Sequence, residues 1–350
     1  MLIIALLQKN AYARIITCFI VVGCAFCNCL VIKEKNVTKL VRGLNNILSQ
    51  KTGCVITMGN FDGVHRGHHA LLARVKAVAK TLHLPSIVMT FEPQPLEFFS
   101  PKKAVARLTR CREKFCLLAD CGIDSVLVVH FNAVFAALSA EEFIKKILCE
   151  QLGVKYIIVG DDFRFGRARK GDVEFLKKAG ERYHFTVETL STVALDGEKI
   201  SSTRIRQALA EGNHPLAEKL LGRPYSMMGR VVYGNQLGRV LGFPTANIYL
   251  HRVVTPVQGI YAVRVYGLED HALTGVANLG TRPTIGGTRI LLEVHLFHFD
   301  RVIYGKYVTV EFCKKLREEK RFDNLDLLKE QIGKDADEAR DYFLQHHLTE

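Results

Sequence analysis

The chain has 350 residues, of which 48% are hydrophobic and 24% charged, and its formal net charge is +13. This length favours two domains over one core, and the ordinary composition excludes a low-complexity or disordered chain. Residues 1–38 account for +3 (4 − 1), so the remainder carries about +10. Such a charge attracts polyanions, but the sequence has no Arg-rich block and no aromatic-spaced basic run, which disfavours nucleic acid.

The N-terminal segment is unusual. Residues 15–32 contain only two polar side chains, Thr17 and Asn28, and are about as long as a membrane span. The segment could be a membrane anchor, a secretion signal or upstream sequence outside the true start. We expect a mis-assigned start or a dispensable extension over residues 1–38, with membrane contact only if residues 15–32 are expressed. The ten cysteines include one CxxC, Cys24 and Cys27, with no second pair at zinc-ligand spacing, which disfavours a structural metal. A disulfide framework does not suit a chain this long and this apolar, so reduced thiols are expected.

Residues 39–221 alternate between strand and helix patterns. Apolar runs predict strands at 54–58, 86–91, 125–131 and 156–159, and helices are predicted at 68–82, at 109–121 and from Ser139, where Glu142 completes a capping box. Continuous apolar strands between helices indicate a parallel, doubly wound sheet, so this half is predicted to be an α/β, Rossmann-like domain. Ligands of such sheets bind at the carboxyl ends of the strands.

Residues 222–350 have a different pattern. Short β-rich runs between glycine-rich turns over 229–313 predict an antiparallel β-barrel. A charged helix is predicted at about 325–346, after the barrel. The junction is placed at Gly222-Arg223-Pro224, because the helical periods end at about Leu221.

The first chemical centre is the run Gly59-Asn60-Phe61-Asp62-Gly63-Val64-His65-Arg66-Gly67-His68, between the first predicted strand and helix. Its glycines let the backbone turn tightly near a phosphate, and the helix N-terminus offers N–H groups to an anion. His65 and His68 can donate hydrogen bonds to phosphoryl oxygens as charge develops.

This run resembles the HxGH nucleotidylyltransferases, and more narrowly the bacterial bifunctional riboflavin kinase/FAD synthetases. The resemblance implies that His65 and His68 bind ATP and stabilise the transition state. It extends to Ile200-Ser201-Ser202-Thr203-Arg204-Ile205-Arg206, whose hydroxyl and guanidinium groups suit a triphosphate, although Arg204 could equally face solvent. The residues implied to bind ATP in this half are Gly59, Asn60, Phe61, Gly63, His65, His68, Ser202, Thr203 and Arg206.

Two further segments fit the resemblance on the flavin side. Gly160-Asp161-Asp162-Phe163-Arg164 follows the fourth predicted strand, and Phe91-Glu92-Pro93 follows the second. By themselves these segments are ordinary polar turns. The resemblance implies that Phe91, Asp161, Asp162, Phe163 and Arg164 hold the flavin.

The second chemical centre is Pro244-Thr245-Ala246-Asn247, which follows a glycine-rich segment at 234–239. In an extended backbone, Thr245 and Asn247 present oxygens on one side, two residues apart, and oxygen ligands suit Mg²⁺. By spacing alone, a turn with local hydrogen bonds is an equal alternative. The segment 234–239 looks like a flexible phosphate-covering loop, and it is not a P-loop.

PTAN resembles the hallmark of riboflavin kinases, as do the segments at 259–262, 278–284 and 292–296. The resemblance implies Glu293 as the catalytic base, on a strand whose Leu292 and Val294 point to the opposite face. It also implies an ATP site at Gly234, Gly238, Arg239, Thr245 and Asn247, Mg²⁺ held by Thr245 and Asn247 through ATP phosphates, and a flavin contact at Arg317.

The sequence therefore predicts a cytoplasmic, ATP-dependent transferase with two activities. Riboflavin is phosphorylated to FMN by the C-terminal half, and FMN is adenylylated to FAD by the N-terminal half. The alternative is a single-activity nucleotidylyltransferase with a non-catalytic barrel. Small molecules are the expected partners, nucleic acid is not expected, and a homo-oligomer is left open.

Overall fold

The computed structural model describes residues 37–47, 53–101, 105–234, 237–284 and 287–346. The apolar run at 15–32 therefore lies outside the described residues. Within the described ranges, no helix is both long enough and apolar enough to cross a membrane.

Six parallel strands form the sheet of the N-terminal half, in the order β1-β4-β3-β2-β5-β6. Their bounds are Lys39–Arg42 (β1), Cys54–Met58 (β2), Ser86–Glu92 (β3), Ser125–His130 (β4), Val154–Gly160 (β5) and Thr186–Leu190 (β6). The inner strands are buried on both faces, which explains their continuous apolar sequences. The predicted doubly wound sheet is confirmed.

Helices cover both faces of this sheet. They are α1 (Arg66–Leu82), α2 (Pro95–Phe99), α3 (Cys111–Asp120), α4 (Ala133–Ala136), α5 (Ala140–Glu142), which continues as a π-helix over Phe143–Gln151, α6 (Val173–Tyr183), α7 (Ser202–Ala210) and α8 (His214–Leu221). A small hairpin, β7 (Ala194–Leu195) and β8 (Glu198–Lys199), precedes α7. The capping box of Ser139 and Glu142 is confirmed.

The strand order places the first chemical centre at a switch point of the sheet. From β2 the chain runs outward through β3 and β4, and it then returns to place β5 on the other side of β2. The loops after β2 and β5 therefore diverge and leave a crevice at their carboxyl ends, where ligands of such sheets bind. Residues 59–65 and 161–166 occupy these two loops.

The C-terminal half is a closed antiparallel barrel in the order β10-β13-β12-β11-β14-β9, as predicted. Its strands are Ser226–Val232 (β9), Ala246–Tyr249 (β10), Gly259–Tyr266 (β11), Leu273–Thr284 (β12), Gly287–Leu296 (β13) and Tyr307–Arg317 (β14). A short helix, α9 (Leu237–Val240), lies between β9 and β10, and the terminal helix α10 spans Leu325–Gln345.

The barrel strands alternate between an apolar interior and a second, outer face. Leu292 and Val294 of β13 are buried in the interior core. On the outside, Ala336 and Phe343 of α10 pack against Ile260 of β11 in a separate apolar cluster. The terminal helix therefore covers part of the barrel wall, which gives its apolar stripe a partner.

Buried polar contacts join the two halves. Glu113 of α3 is only 8% exposed, accepts a hydrogen bond from the Met228 N–H at 2.8 Å, and pairs with Arg252 at 2.6 Å. Arg110 donates to the Leu250 carbonyl at 3.0 Å. Because a buried carboxylate needs such partners, these bonds define how the barrel docks on the N-terminal half. The predicted boundary between residues 221 and 222 stays a prediction.

Candidate active sites

The loop after β2 has a strained backbone. Phe61, Gly63 and Val64 have φ values of 47°, 83° and 40°. Only the glycine adopts this region without cost, so the conformation of Phe61 and of the β-branched Val64 must be imposed by their surroundings. The side chains of Phe61 and Val64 are almost fully buried, and their packing in the core holds the loop in this conformation.

Asp62 is the hub that fixes this loop. Its carboxylate is 2% exposed and accepts hydrogen bonds from the N–H groups of Leu108 (3.1 Å) and Thr109 (2.9 Å) and from the Thr109 hydroxyl (3.1 Å). It also pairs with Arg206, and the Asp62 carbonyl accepts a bond from the Ser202 hydroxyl at 2.9 Å. Asp62 was not among the residues expected to form the site, because its only sequence signal is an acidic residue inside the glycine-rich run.

His65 and His68 cap each other at the start of α1. The His68 N–H donates to His65 Nδ1, the His65 N–H donates to His68 Nδ1, both at 3.3 Å, and the two rings stack with centroids 3.7 Å apart. Because each Nδ1 accepts a hydrogen bond, each neutral ring must carry its proton on Nε2. Two Nε2–H donors are thus fixed side by side, beside the loop Gly59–Val64.

Both histidines are held in the neutral form. Burial lowers the pKa of His65 to about 4. Burial, together with the adjacent His65 and Lys114, holds the pKa of His68 well below its usual value. At neutral pH the pair therefore donates hydrogen bonds as uncharged imidazoles.

Helix α7 brings its polar residues to the same loop. Ser201 caps the helix by accepting from the Arg204 N–H at 3.2 Å, and the next residue, Ser202, reaches Asp62. Arg206 also donates to the Ala106 carbonyl at 2.6 Å, so its guanidinium joins α7 to the segment before Leu108 as well as to Asp62. Thr203 is exposed. Arg204 does not extend into solvent, because it donates to the Leu195 carbonyl at 2.9 Å.

In the N-terminal half, the residues expected to hold flavin lie in two places. Phe91 packs against Phe131 and Phe135, with ring centroids 5.9 and 5.8 Å away. Phe163 stacks on Phe165, with centroids 5.6 Å apart. The aromatic cluster around Phe131 was missed by the sequence analysis, because its members come from different loops and share no motif.

The charged members of this set pair with nearby residues. Asp161 accepts from the Thr192 hydroxyl at 3.0 Å, Asp162 pairs with Lys199, and Arg164 pairs with Asp172 at 2.9 Å. These side chains are exposed or half-buried, and such surface pairs contribute little to stability. They can therefore exchange partners when a ligand arrives, and their flavin contact stays a prediction.

In the barrel, strand pairing brings the second set of residues together. Asn247 of β10 and Asn278 of β12 both lie opposite Glu293 of β13, on its two sides. Glu293 is half-buried on the face opposite to Leu292 and Val294, as expected from the alternation. Directly opposed residues in a sheet lie about 4.5–5.5 Å apart, so the carboxylate and the two amides form one cluster.

Gly234 and Gly238 leave the space that this cluster needs. A β-carbon on Gly234 would collide with the Asn247 amide, and one on Gly238 would lie 3.0 Å from the Thr245 hydroxyl oxygen. Within the segment expected to be a flexible phosphate-covering loop, Leu237–Val240 forms a helical turn, and the Phe243 N–H donates to the Gly238 carbonyl at 2.7 Å. Arg239 is exposed on this turn.

The donor set fits a divalent cation that is shared with a nucleotide. No cluster of three or more His, Cys, Asp or Glu suitable for a metal occurs among the residues the structure describes. Thr245 and Asn247 instead offer neutral oxygens, and the buried Oδ1 of the adjacent Asn278 has no hydrogen-bond partner among the described residues. Mg²⁺ accepts such sites when phosphates supply the charge.

Two other barrel residues have structural partners. His295 contacts the Pro244 carbonyl through Nδ1 at 2.9 Å and so fixes the start of the PTAN segment. Arg317 makes two bonds to Asp335 of α10, at 2.7 and 2.6 Å, and one to the Glu318 carbonyl at 2.9 Å. This arginine anchors the terminal helix, and its expected flavin contact stays a prediction.

The fold and the two sites define a class of protein: a nucleotide-dependent transferase in which a Rossmann-like domain with paired histidines is joined to a kinase-like barrel. Residues 47–204 match the FAD synthetase family and residues 221–343 match the riboflavin kinase family. The chain belongs to the family of bifunctional riboflavin kinase/FMN adenylyltransferases.

Individual relatives agree with this assignment. The bifunctional riboflavin kinase/FMN adenylyltransferase of Escherichia coli (strain K12) is 54% identical over 307 residues, which are 87% of this chain and 98% of that protein. That of Haemophilus influenzae is 48% identical over 305 residues, or 87% and 99%. A crystal structure described as a macrolide-efflux protein from Streptococcus pneumoniae is similar with a TM-score of 0.74 and 32% identity, covering 87% of this chain and 99% of that one.

Proposed function

We propose that this chain makes FAD from riboflavin in two ATP-dependent steps, one in each half. The barrel phosphorylates riboflavin to FMN, and the N-terminal domain joins FMN to the adenylyl group of ATP with release of pyrophosphate. The observation that carries the proposal is that one chain holds both sets of residues: the paired Nε2–H donors of His65 and His68, and the Asn247–Glu293 pairing beside Thr245.

In the adenylyl transfer, the FMN phosphate attacks the α-phosphorus of ATP and pyrophosphate leaves. The nucleophile is already an anion, so the site needs alignment and charge stabilisation but no general base. His65 and His68 donate through Nε2–H to the phosphoryl oxygens. The fixed loop Gly59–Val64 and the exposed Thr203 complete the phosphate site, at the N-terminus of α1.

In the kinase step, Glu293 takes the proton of the ribityl 5′-hydroxyl as the hydroxyl oxygen attacks the γ-phosphorus of ATP, and ADP leaves as the bond to the β,γ-bridging oxygen breaks. The half-buried strand position partly shields this carboxylate from water. Thr245 and Asn247 would hold Mg²⁺, which neutralises phosphate charge when it is bound. Gly234 and Gly238 let the backbone approach the phosphates.

The alternative, a nucleotidylyltransferase with a non-catalytic barrel, is not favoured. It predicts loss of kinase residues, whereas Thr245, Asn247 and Glu293 are all present and the last two are paired in register. For location we propose the cytoplasm, where ATP is available. We propose small molecules rather than nucleic acid as partners.

The test separates the two sites in the full chain. Riboflavin or FMN is incubated with Mg-ATP, and the products are resolved by chromatography. Glu293→Gln should abolish FMN formation and leave conversion of supplied FMN to FAD, because it removes the proton acceptor of one site only. His68→Ala should do the reverse, so that FMN accumulates.

Two variants at exposed positions serve as controls. His69 is exposed beside the histidine pair and Glu330 is exposed on α10, so His69→Ala and Glu330→Gln should retain both activities. Equal loss of both activities in Glu293→Gln or in His68→Ala would contradict two independent sites. Absence of both products with the unaltered chain would refute the proposed function itself.

A further inference from the structure

The junction between the halves packs directly against the loop of the adenylyltransferase site. Helix α8 ends at Leu221, which is fully buried, and Gly222 follows in the left-handed conformation at φ 81°. A β-carbon on Gly63 would touch Leu221, and one on Gly222 would lie 3.1 Å from the Arg66 side chain. The junction therefore lies against the loop at Gly63 and at Arg66, on both sides of Val64 and His65.

Arg223 makes the closest polar contacts of this junction. Its guanidinium donates to the Gly63 carbonyl at 2.6 Å and to the Val64 carbonyl at 3.0 Å. Gly63 and Val64 both have positive φ, and this conformation is sterically unfavourable for Val64. Burial lowers the pKa of Arg223 to about 10, so the side chain stays charged at neutral pH. A charged fork on two adjacent carbonyls favours the one backbone geometry in which both point the same way.

We propose that Arg223 is a positioning residue of the adenylyl-transfer site: by binding the carbonyls of Gly63 and Val64 it holds the strained turn that aims His65 and His68 at the triphosphate. Arg223 lies in the part of the chain that matches riboflavin kinases, 221–343, and outside the part that matches FAD synthetases, 47–204. The kinase half thus completes the site of the other half. This inference rests on the proposed function of the histidine pair.

Docking of the two halves does not explain these bonds. Arg252 and Arg110 already join the barrel to α3 and its surroundings, through Glu113 and the Leu250 carbonyl. Arg223 adds no bond between secondary-structure elements, because both of its acceptors lie in the catalytic loop. Removing it should therefore leave the halves docked and loosen only the turn before His65.

The charge of Arg223 also acts on the histidines. Asp62, His69, Lys114 and Arg223 are the charged or titratable groups that act on the pair, and Arg223 is among those that lower the pKa of His65 and His68. Burial is the largest cause of these low pKa values, and loss of the Arg223 cation should raise both of them. The acid limb of the pH profile for FAD formation should then move to higher pH, which a purely structural role would not produce.

The experiment compares three variants of the full chain. Arg223→Met removes the fork and the charge, and Arg223→Lys keeps the charge but cannot bridge two carbonyls in the same way. Arg110→Met is the matched control, because Arg110 also donates across the halves to a carbonyl but does not touch the histidine loop. For each variant, kcat and KM are measured for FMN conversion to FAD and for riboflavin conversion to FMN, together with the melting temperature.

Arg223→Met should lower kcat for FAD formation by about 10- to 100-fold, the range expected when a reacting geometry is misplaced. KM for ATP and the kinase step should change little, and the acid limb of the pH profile for FAD formation should move to higher pH. Arg223→Lys should recover part of kcat and the acid limb of the unaltered chain. Arg110→Met should match the unaltered chain in both reactions.

Three results would overturn the proposal: FAD formation by Arg223→Met equal to that of Arg110→Met, a parallel fall of both activities with the melting temperature, or a rise in KM for ATP at unchanged kcat. If Arg223→Met does not fold, full kcat in Arg223→Lys would overturn it as well. Failure of the unaltered chain to convert FMN to FAD would refute the proposed function instead, and the two failures are thus distinguishable.

Discussion

The substitution Asp62→Asn tests how the first site is held together. Asp62 is almost completely buried and joins three segments, since it accepts from Leu108 and Thr109 and pairs with Arg206. Asparagine has nearly the same shape but only one acceptor oxygen. Its amide group must therefore face either the backbone donors or the guanidinium, and at least one donor loses its partner.

The expected cost follows from this geometry. Removing one partner of a buried ion pair destabilises by about 3–5 kcal/mol, because the other charge is left uncompensated. The Arg206 side chain is 19% exposed and keeps some access to water, so we expect the lower end, about 3 kcal/mol. In the control Glu338→Gln, the partner Lys314 and the carboxylate are both about half exposed, and the cost should stay below about 1 kcal/mol.

The assay is chemical denaturation of both variants, with FAD and FMN formation measured below the transition. Asp62→Asn should also reduce FAD formation more than FMN formation, because the strained turn relaxes only in the first site. In Asp62→Asn combined with Arg206→Met, no charge is left unpaired, and the destabilisation should be less than the sum of the single changes. A cost for Asp62→Asn within about 1 kcal/mol of the Glu338 control would refute the role of the network.

Three further outcomes are expected. Gly234→Ala should reduce FMN formation, because its β-carbon would collide with Asn247, and should spare FAD formation from FMN. The control Gly333→Ala, whose β-carbon has only ordinary contacts, should keep both activities. Unchanged FMN formation by Gly234→Ala would contradict the close approach of Gly234 to Asn247. Burial lowers the pKa of His214 to about 4, so its stabilising effect is complete above pH 6.5 and is lost as pH falls towards 4. Between pH 7 and 5 the free energy of unfolding should fall in both proteins, and the fall should be about 2 kcal/mol smaller in His214→Phe than in the unaltered chain. An equal fall in both would count against a neutral, buried His214. EDTA should stop FMN formation and excess Mg²⁺ should restore it; formation that persists in EDTA would rule out the proposed metal role.

Local sequence signals predicted most of the fold. The apolar runs of β2 to β5, the capping box at Ser139 and the alternation around Glu293 each depend on near neighbours, and each appears in the structure. The edge strand β1, Lys39–Arg42, was missed because two of its four residues are basic and its burial is slight. The π-helical continuation of α5 was also missed, because its apolar spacing resembles that of an ordinary helix.

The sites were predicted as motifs but not as geometries. The histidine pair and PTAN are short runs, so their residues could be named from the sequence. The partners that fix them are remote: Arg206 lies 144 residues from Asp62, and Arg223 lies 160 residues from Gly63. Contacts at such separations depend on the tertiary packing of distant elements and, for Arg223, on the docking of the two halves, and neither leaves a periodic or compositional signal.

The pairing of β10, β13 and β12 has a consequence for how the barrel can change over time. Asn247, Glu293 and Asn278 are aligned by backbone hydrogen bonds, so the register of three strands sets their spacing. A slip of β13 by one residue would place Leu292 or Val294 between the two amides and turn Glu293 into the apolar interior. Insertions or deletions within these strands would therefore disrupt both the site around Glu293 and the packing of the barrel. Length variation in the barrel should be confined to its turns.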